Sequence, residues 1–192
     1  MPGLLDLREA VVASLKTLIT GVDIASHGGT FDLKELKRFA TLAPAIRIAI
    51  VGAGAGSRFG DGRWKVPVRF AAVVVTKDSA AAGVKVPRDT AALLLSTAVE
   101  LAVASNRFGI EGVFQPVNVE ARSEYSGPVD ELGIALWQVT WTSEILIGVA
   151  GEPGDPASSL PAAIAALVEA SVNSVVTWRD GALTNADPGG SP

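Results

Sequence analysis

The chain has 192 residues, 48% of them apolar and 19% charged, and a formal net charge of −4. That composition supports one sizeable core with an extension. Its acidic balance argues against a general nucleic-acid binder, which needs a concentrated basic surface. There is no cysteine, which removes disulfides, thiolate metal sites and cysteine nucleophiles.

Residues 4–19 read as an amphipathic helix. Leu4, Leu7, Val11, Leu15, Leu18 and Ile19 follow helical spacing, with Arg8, Glu9 and Lys16 between them, and Gly21 is a stop signal. Asp6, Arg8 and Glu9 also stand where a signal peptide would need an apolar centre. No apolar run reaches the roughly 18 residues of a membrane span. The expectation is therefore a soluble chain, cytoplasmic when made. Residues 22–26 form a short strand ended by Gly28 and Gly29. Residues 31–39 form a helical turn with Leu33, Leu36 and Phe39 on one side. Asp32 and Glu35 stand at capping-box spacing, and Lys34, Lys37 and Arg38 are expected to face solvent.

Ala43-Pro44 leads into a strong strand signal, AIRIAIV, over 45–51. Residues 55–65 are polar and glycine-rich and read as an exposed loop. The next long strand covers 66–76, and Pro67 places its start at an edge or outside the ladder. Residues 77–86 read as a small-residue loop. A second long helix opens at Pro87 or Asp89 and runs to about Asn106. Leu94, Leu95, Ala98, Val99, Leu101 and Ala102 make it apolar over a wide arc, which implies burial against a sheet and against a neighbouring subunit. A strand over 113–121, with Val117 and Val119 on one face, precedes a turn at 122–128.

The stretch 132–148 holds Trp137 and Trp141. Ala135, Trp137, Val139 and Trp141 share one face at period two. Ile134 and Leu136 open the other, followed by Gln138, Thr140 and Thr142. This is the pattern of a long central strand that leaves the core towards its C-terminal end. Residues 1–148 thus read as one domain. Residues 149–192 form a linker rich in proline, glycine and serine, a short helix at 162–170, a short strand at 172–178 and a disordered tail.

Chemical motifs are scarce. Gly52, Gly54 and Gly56 follow a strand as in a dinucleotide-binding turn. The third glycine of that motif would stand where Ser57 does, and 57–68 lacks the apolar stripe of a helix. His27 is the only histidine and reads as a strand-end residue. No nucleophile elbow or metal-ligand spacing is present. Arg58, Arg63, Lys65 and Arg69 are interleaved with Phe59 and Trp64 and opposed only by Asp61. This most basic segment is the candidate contact surface, with Arg58, Arg63, Trp64 and Lys65 as its interaction residues. Its glycines predict a segment that is mobile in the free subunit and ordered on assembly.

Three stretches carry a resemblance in their order and spacing, after an opening helix. They are HGGTFDLKELKRFATLAPAIRIAIVG from His27, the helix entered through RDTAALLL and ending ASNRFG, and GIALWQVTWTSEILIG from Gly133. Together they resemble the tail terminator (tail-completion) family of Mu-like phages and prophages over about residues 4–148. The resemblance implies an α/β (α+β) fold with helices flanking a mixed, mostly antiparallel sheet. It also implies a structural virion protein with no catalytic residue, cofactor or metal. Such a protein forms a homo-oligomeric, six-fold ring on the last tail-tube ring and joins the tail to the head-tail connector or stopper protein. It would contact passing DNA transiently, touch no membrane, and be found in the host cytoplasm before it enters the virion. The alternative is a small phosphate- or nucleotide-binding enzyme that uses the glycine run at 52–56.

Overall fold

The computed structural model describes residues 3–29, 33–81, 84–124 and 126–148, together with two short strands near the C-terminus. The chain divides into two compact units, Met1–Gly151 and Glu152–Pro192. The first is an α+β domain. Its elements run α1 (Leu4–Leu18), β1 (Asp23–Ser26), α2 (Leu33–Leu42), β2 (Ala45–Ala53), β3 (Ser57–Arg58), β4 (Trp64–Lys77), β5 (Ser79–Ala81), β6 (Val84–Val86), α3 (Arg88–Ala104), β7 (Val117–Ser123), α4 (Gly127–Glu131) and β8 (Ile134–Ile147). In the second unit β9 (Thr177–Arg179) pairs antiparallel with β10 (Ala182–Thr184). The expected linker, the helix at 162–170, most of the strand at 172–178 and the disordered tail lie outside the described residues.

The main sheet has the order β1-β2-β4-β8-β7, with β3 added beside β4. Only the β1–β2 pair is parallel. Parallel neighbours need a crossover, and α2 supplies it. The spine is the β4–β8 ladder, in register from Trp64↔Ile147 to Lys77↔Ile134.

Alternation divides side chains between the two faces. On one face Val68, Phe70, Ala72 and Val74 of β4 and Val139, Trp141 and Ile145 of β8 meet Leu7, Val11 and Leu15 of α1 and Val99 and Val103 of α3. Phe70 and Trp141 stack at 5.1 Å with planes 4° apart. On the other face a smaller core joins Val73, Val75 and Ile134 to Phe39 of α2 and Val129 of α4. Arg47 is buried beneath it. Its guanidinium lies 4.6 Å from the Phe39 ring centroid, donates to the Asp23 and Ile46 carbonyls, and pairs with the Asp23 carboxylate. That pairing fixes β1 to β2.

Several local expectations are corrected. β8 does not leave the core at its end: Ser143, Ile145 and Leu146 are buried. The chain after α3 folds back over it, bridging Val113 to Ile145, with Phe114 N–H donating to the Glu144 carbonyl and Leu146 N–H to that of Gly112. Trp137 is only partly buried, whereas Trp141 is 1% exposed. Val113 makes an isolated bridge, and β7 starts later. Asn118 takes φ 55° within a bulge between Val117 and Glu120, so Val117 is exposed while Val119 packs on the core. Residues 77–86, expected as a loop, hold the β5–β6 hairpin, and part of the turn at 122–128 is strand or helix. Pro67 sits inside β4 opposite Glu144. Its carbonyl accepts from Gly54 N–H at 2.8 Å, and its missing N–H falls on the same side, where β2 has ended and β3 has not begun. Proline is tolerated at such a break.

Candidate interaction site at the hairpin arm

The basic segment expected to be an irregular loop is a hairpin arm. Beyond β2, β3 pairs with the first residues of β4, Ser57 with Lys65 and Arg58 with Trp64. Phe59 N–H donates to the Arg63 carbonyl at 2.8 Å and Gly62 N–H to that of Phe59 at 3.0 Å. Gly62, at φ 91°, makes the reversal.

The preceding glycines have a steric reason. A Cβ on Gly54 would stand 2.9 Å from Pro67 Cγ, and one on Gly56 would stand 3.1 Å from both Trp64 Cε3 and Val66 Cγ2. On Gly52 it would lie 3.2 Å from Arg69 Nη2. These glycines let the chain lie flat on β4, and they lead into the strand β3. A dinucleotide-binding turn would place a helix N-terminus there.

The arm brings Arg58, Arg63, Trp64 and Lys65 together, but their charges are not equally available. Asp61 accepts from Arg63 N–H at 3.1 Å and from Arg63 Nε at 2.8 Å. The side-chain hydrogen bond from Arg63 holds the Asp61 carboxyl below the usual aspartate range, and the same bond raises Arg63. Lys65 Nζ meets Glu144 Oε2 at 3.0 Å and lies 5.6 Å from the Phe114 ring centroid. Phe59 packs edge-on against Phe114 at 5.8 Å. Phe59, Lys65, Glu144 and Phe114 therefore staple the arm to the domain. Arg58 is exposed, and its side chain has neither a hydrogen bond nor an ion pair among the described residues; Trp64 is 42% exposed.

His27, at the end of β1, accepts from Gly29 N–H on Nδ1 at 3.1 Å. This assigns the proton to Nε2, which faces Glu35 Oε1 at 3.1 Å. The ring packs edge-on against Phe39. Among the described residues no three acidic, histidine or cysteine side chains gather as a metal site would require, and no helix is long and apolar enough to cross a membrane.

Phe114 and Glu144 were missed as members of this surface. Lys65 and Glu144 meet only because the long β4–β8 register carries them together, and no local sequence signal marks that pairing. No protein-family model matches the chain, and no curated protein matches it.

Proposed function

We propose that this chain is a phage tail terminator: a structural virion protein whose copies form a ring, six-fold by the resemblance, on the head-proximal end of the tail tube. The ring joins the tube to the head-tail connector or stopper protein, and DNA passes through it with transient contact. The chain works without a cofactor and not as an enzyme; it resides in the host cytoplasm until assembly and in the virion afterwards. The observation that carries this reading is the pairing of an apolar outer face on α3 with an exposed aromatic and basic arm on one domain. Leu94 and Leu101 of that helix are 65% and 73% exposed. Exposed leucines on a helix already packed against a sheet mark a surface built to be covered. The ordered resemblance of three stretches directs the reading to the tail terminator rather than to another assembly protein.

The enzyme alternative rests on the glycine run alone, and contact with β4 accounts for those glycines. The test is localisation. A gold-binding tag on the full chain, viewed in negatively stained particles, should mark the junction of tail and head. Label along the whole tube, on the head shell, or absent from particles would refute the proposal.

A further inference from the structure

Ala92, Ser96, Val99 and Val103 turn α3 towards the sheet. On an ordinary surface helix the opposite side would be charged. Here it carries Leu93, Leu94 and Leu101, with exposed Thr97 and Ala104. From Thr90 to Ala104 the only ionisable side chain is Glu100.

The arm carries the complement. Trp64 and Phe59 are 42% and 38% exposed. Asp61 and Glu144 already neutralise Arg63 and Lys65, which leaves Arg58 as the arm's cation without a partner among the described residues. We infer that the exposed face of α3 receives the hairpin arm of a second copy of this chain, with Trp64 against Leu101 and Arg58 facing Glu100 at the edge of that face. This inference rests on the ring reading and assigns its two surfaces.

Charge decides for this occupant. The arm offers one unmatched cation and the helix face one anion, so docking buries a matched pair within an apolar contact. Tryptophan and arginine are the residues that anchor such contacts most often. A two-fold contact of α3 on α3 would instead bring two copies of Glu100 onto one apolar surface. Because the arm and the exposed α3 face are different surfaces, the contact is head-to-tail, and head-to-tail contacts close into rings when the rotation permits.

The chain lacks cysteine, so full-length variants with introduced thiols test the contact directly. A chain carrying both Gly60→Cys at the arm's tip and Thr97→Cys on the α3 face, exposed positions beside the proposed contact residues, should give a ladder of covalent multimers with a short bis-maleimide. Each single variant should stay uncoupled, and an equal mixture of the two should stop at dimers. Thr97→Cys coupling to itself would establish the two-fold contact and overturn the inference. Oligomers seen by light scattering whose thiols remain uncoupled would remove these surfaces and leave the ring reading standing. A chain that stays monomeric at every concentration and is missing from tails would remove both.

A charge exchange gives an independent readout. Arg58→Glu should weaken self-association by about thirtyfold or more, the usual consequence of unpairing a desolvated charge, and adding Glu100→Arg in the same chain should restore it. Failure of that restoration, with both variants folded, would overturn the Arg58–Glu100 pairing.

Discussion

Phe70 and Trp64 belong to the same strand, β4, and stand in opposite surroundings. Phe70 is fully buried, stacked on Trp141 and covered by α1 and α3. Trp64 lies beyond the end of β2, paired with Arg58 of a two-residue strand, and 42% exposed. The body of the sheet is held by apolar area removed from water on both faces. The arm is held by its two-residue pairing with β3, by the last pairs of the β4–β8 ladder, by one aromatic edge contact and by the partly exposed Lys65–Glu144 ion pair. Surface ion pairs contribute about 0 to 1 kcal/mol each, so its charges add little to the fold. Its aromatic and charged side chains are placed where a partner can reach them. The difference separates residues that make the domain from residues that make an assembly, and substitutions should sort accordingly.

The largest effect belongs to Trp141. Trp141→Ala should lower the stability of the full chain by about 3 to 5 kcal/mol in urea denaturation. Trp137→Ala should cost clearly less, because Trp137 is only partly buried. Equal costs would mean that the two tryptophans share one environment and that the register described for β8 is wrong.

Arg47→Ala comes next. It strips donors from the Asp23 and Ile46 carbonyls and removes the partner of the Asp23 carboxylate. A loss of about 1 to 3 kcal/mol is expected, with hydrogen exchange accelerated first in β1. An unchanged melting curve would show that β1 holds to β2 without the guanidinium.

Trp64→Ala should cost the isolated chain clearly less than Trp141→Ala, because Trp64 is 42% exposed where Trp141 is 1% exposed. The same variant should fail to assemble. A core-sized loss of stability would erase the distinction between arm and body.

The smallest effect is a titration at the arm's tip. Asp61 has a folded pKa depressed by its hydrogen bond from Arg63. Its contribution is therefore complete above the ordinary aspartate value and is lost as pH falls through the depressed one, below about pH 4. The Arg63 Nε–H resonance should shift in that window and stay constant from pH 5 to 8. In an Asp61→Asn variant the transition should vanish. A transition near neutrality would assign the tip's titration to another group.

Most of the body was legible because its signals are local and periodic. The alternation of Ala135, Val139 and Trp141 and the helical spacing of Leu7, Val11 and Leu15 correspond to their buried faces. The boundaries of α3 were close to those expected because Pro87 marks its start. The arm was not legible as a hairpin. Three glycines and a polar run read as a loop when their partners are not known, and those partners lie across the sheet on β4 and β8. Gly54 is explained by Pro67, Lys65 by Glu144 and Phe59 by Phe114, all of them tertiary contacts. The burial of Ile145 and Leu146 was hidden for the same reason, since the Gly112–Phe114 segment arrives from elsewhere in the chain. The basic character of the segment was visible, but the neutralisation of Arg63 and Lys65 within the molecule was not.

That neutralisation makes Arg58 the sharpest probe, because reversing Arg63 as well would break its pairing with Asp61 and disturb the arm itself. The measurement is the fraction of complete head-tail particles, counted by negative-stain imaging, when Arg58→Glu replaces the native chain. The account predicts separated heads and tails, while the purified variant melts as the native protein does. A normal count of joined particles with this variant would contradict it.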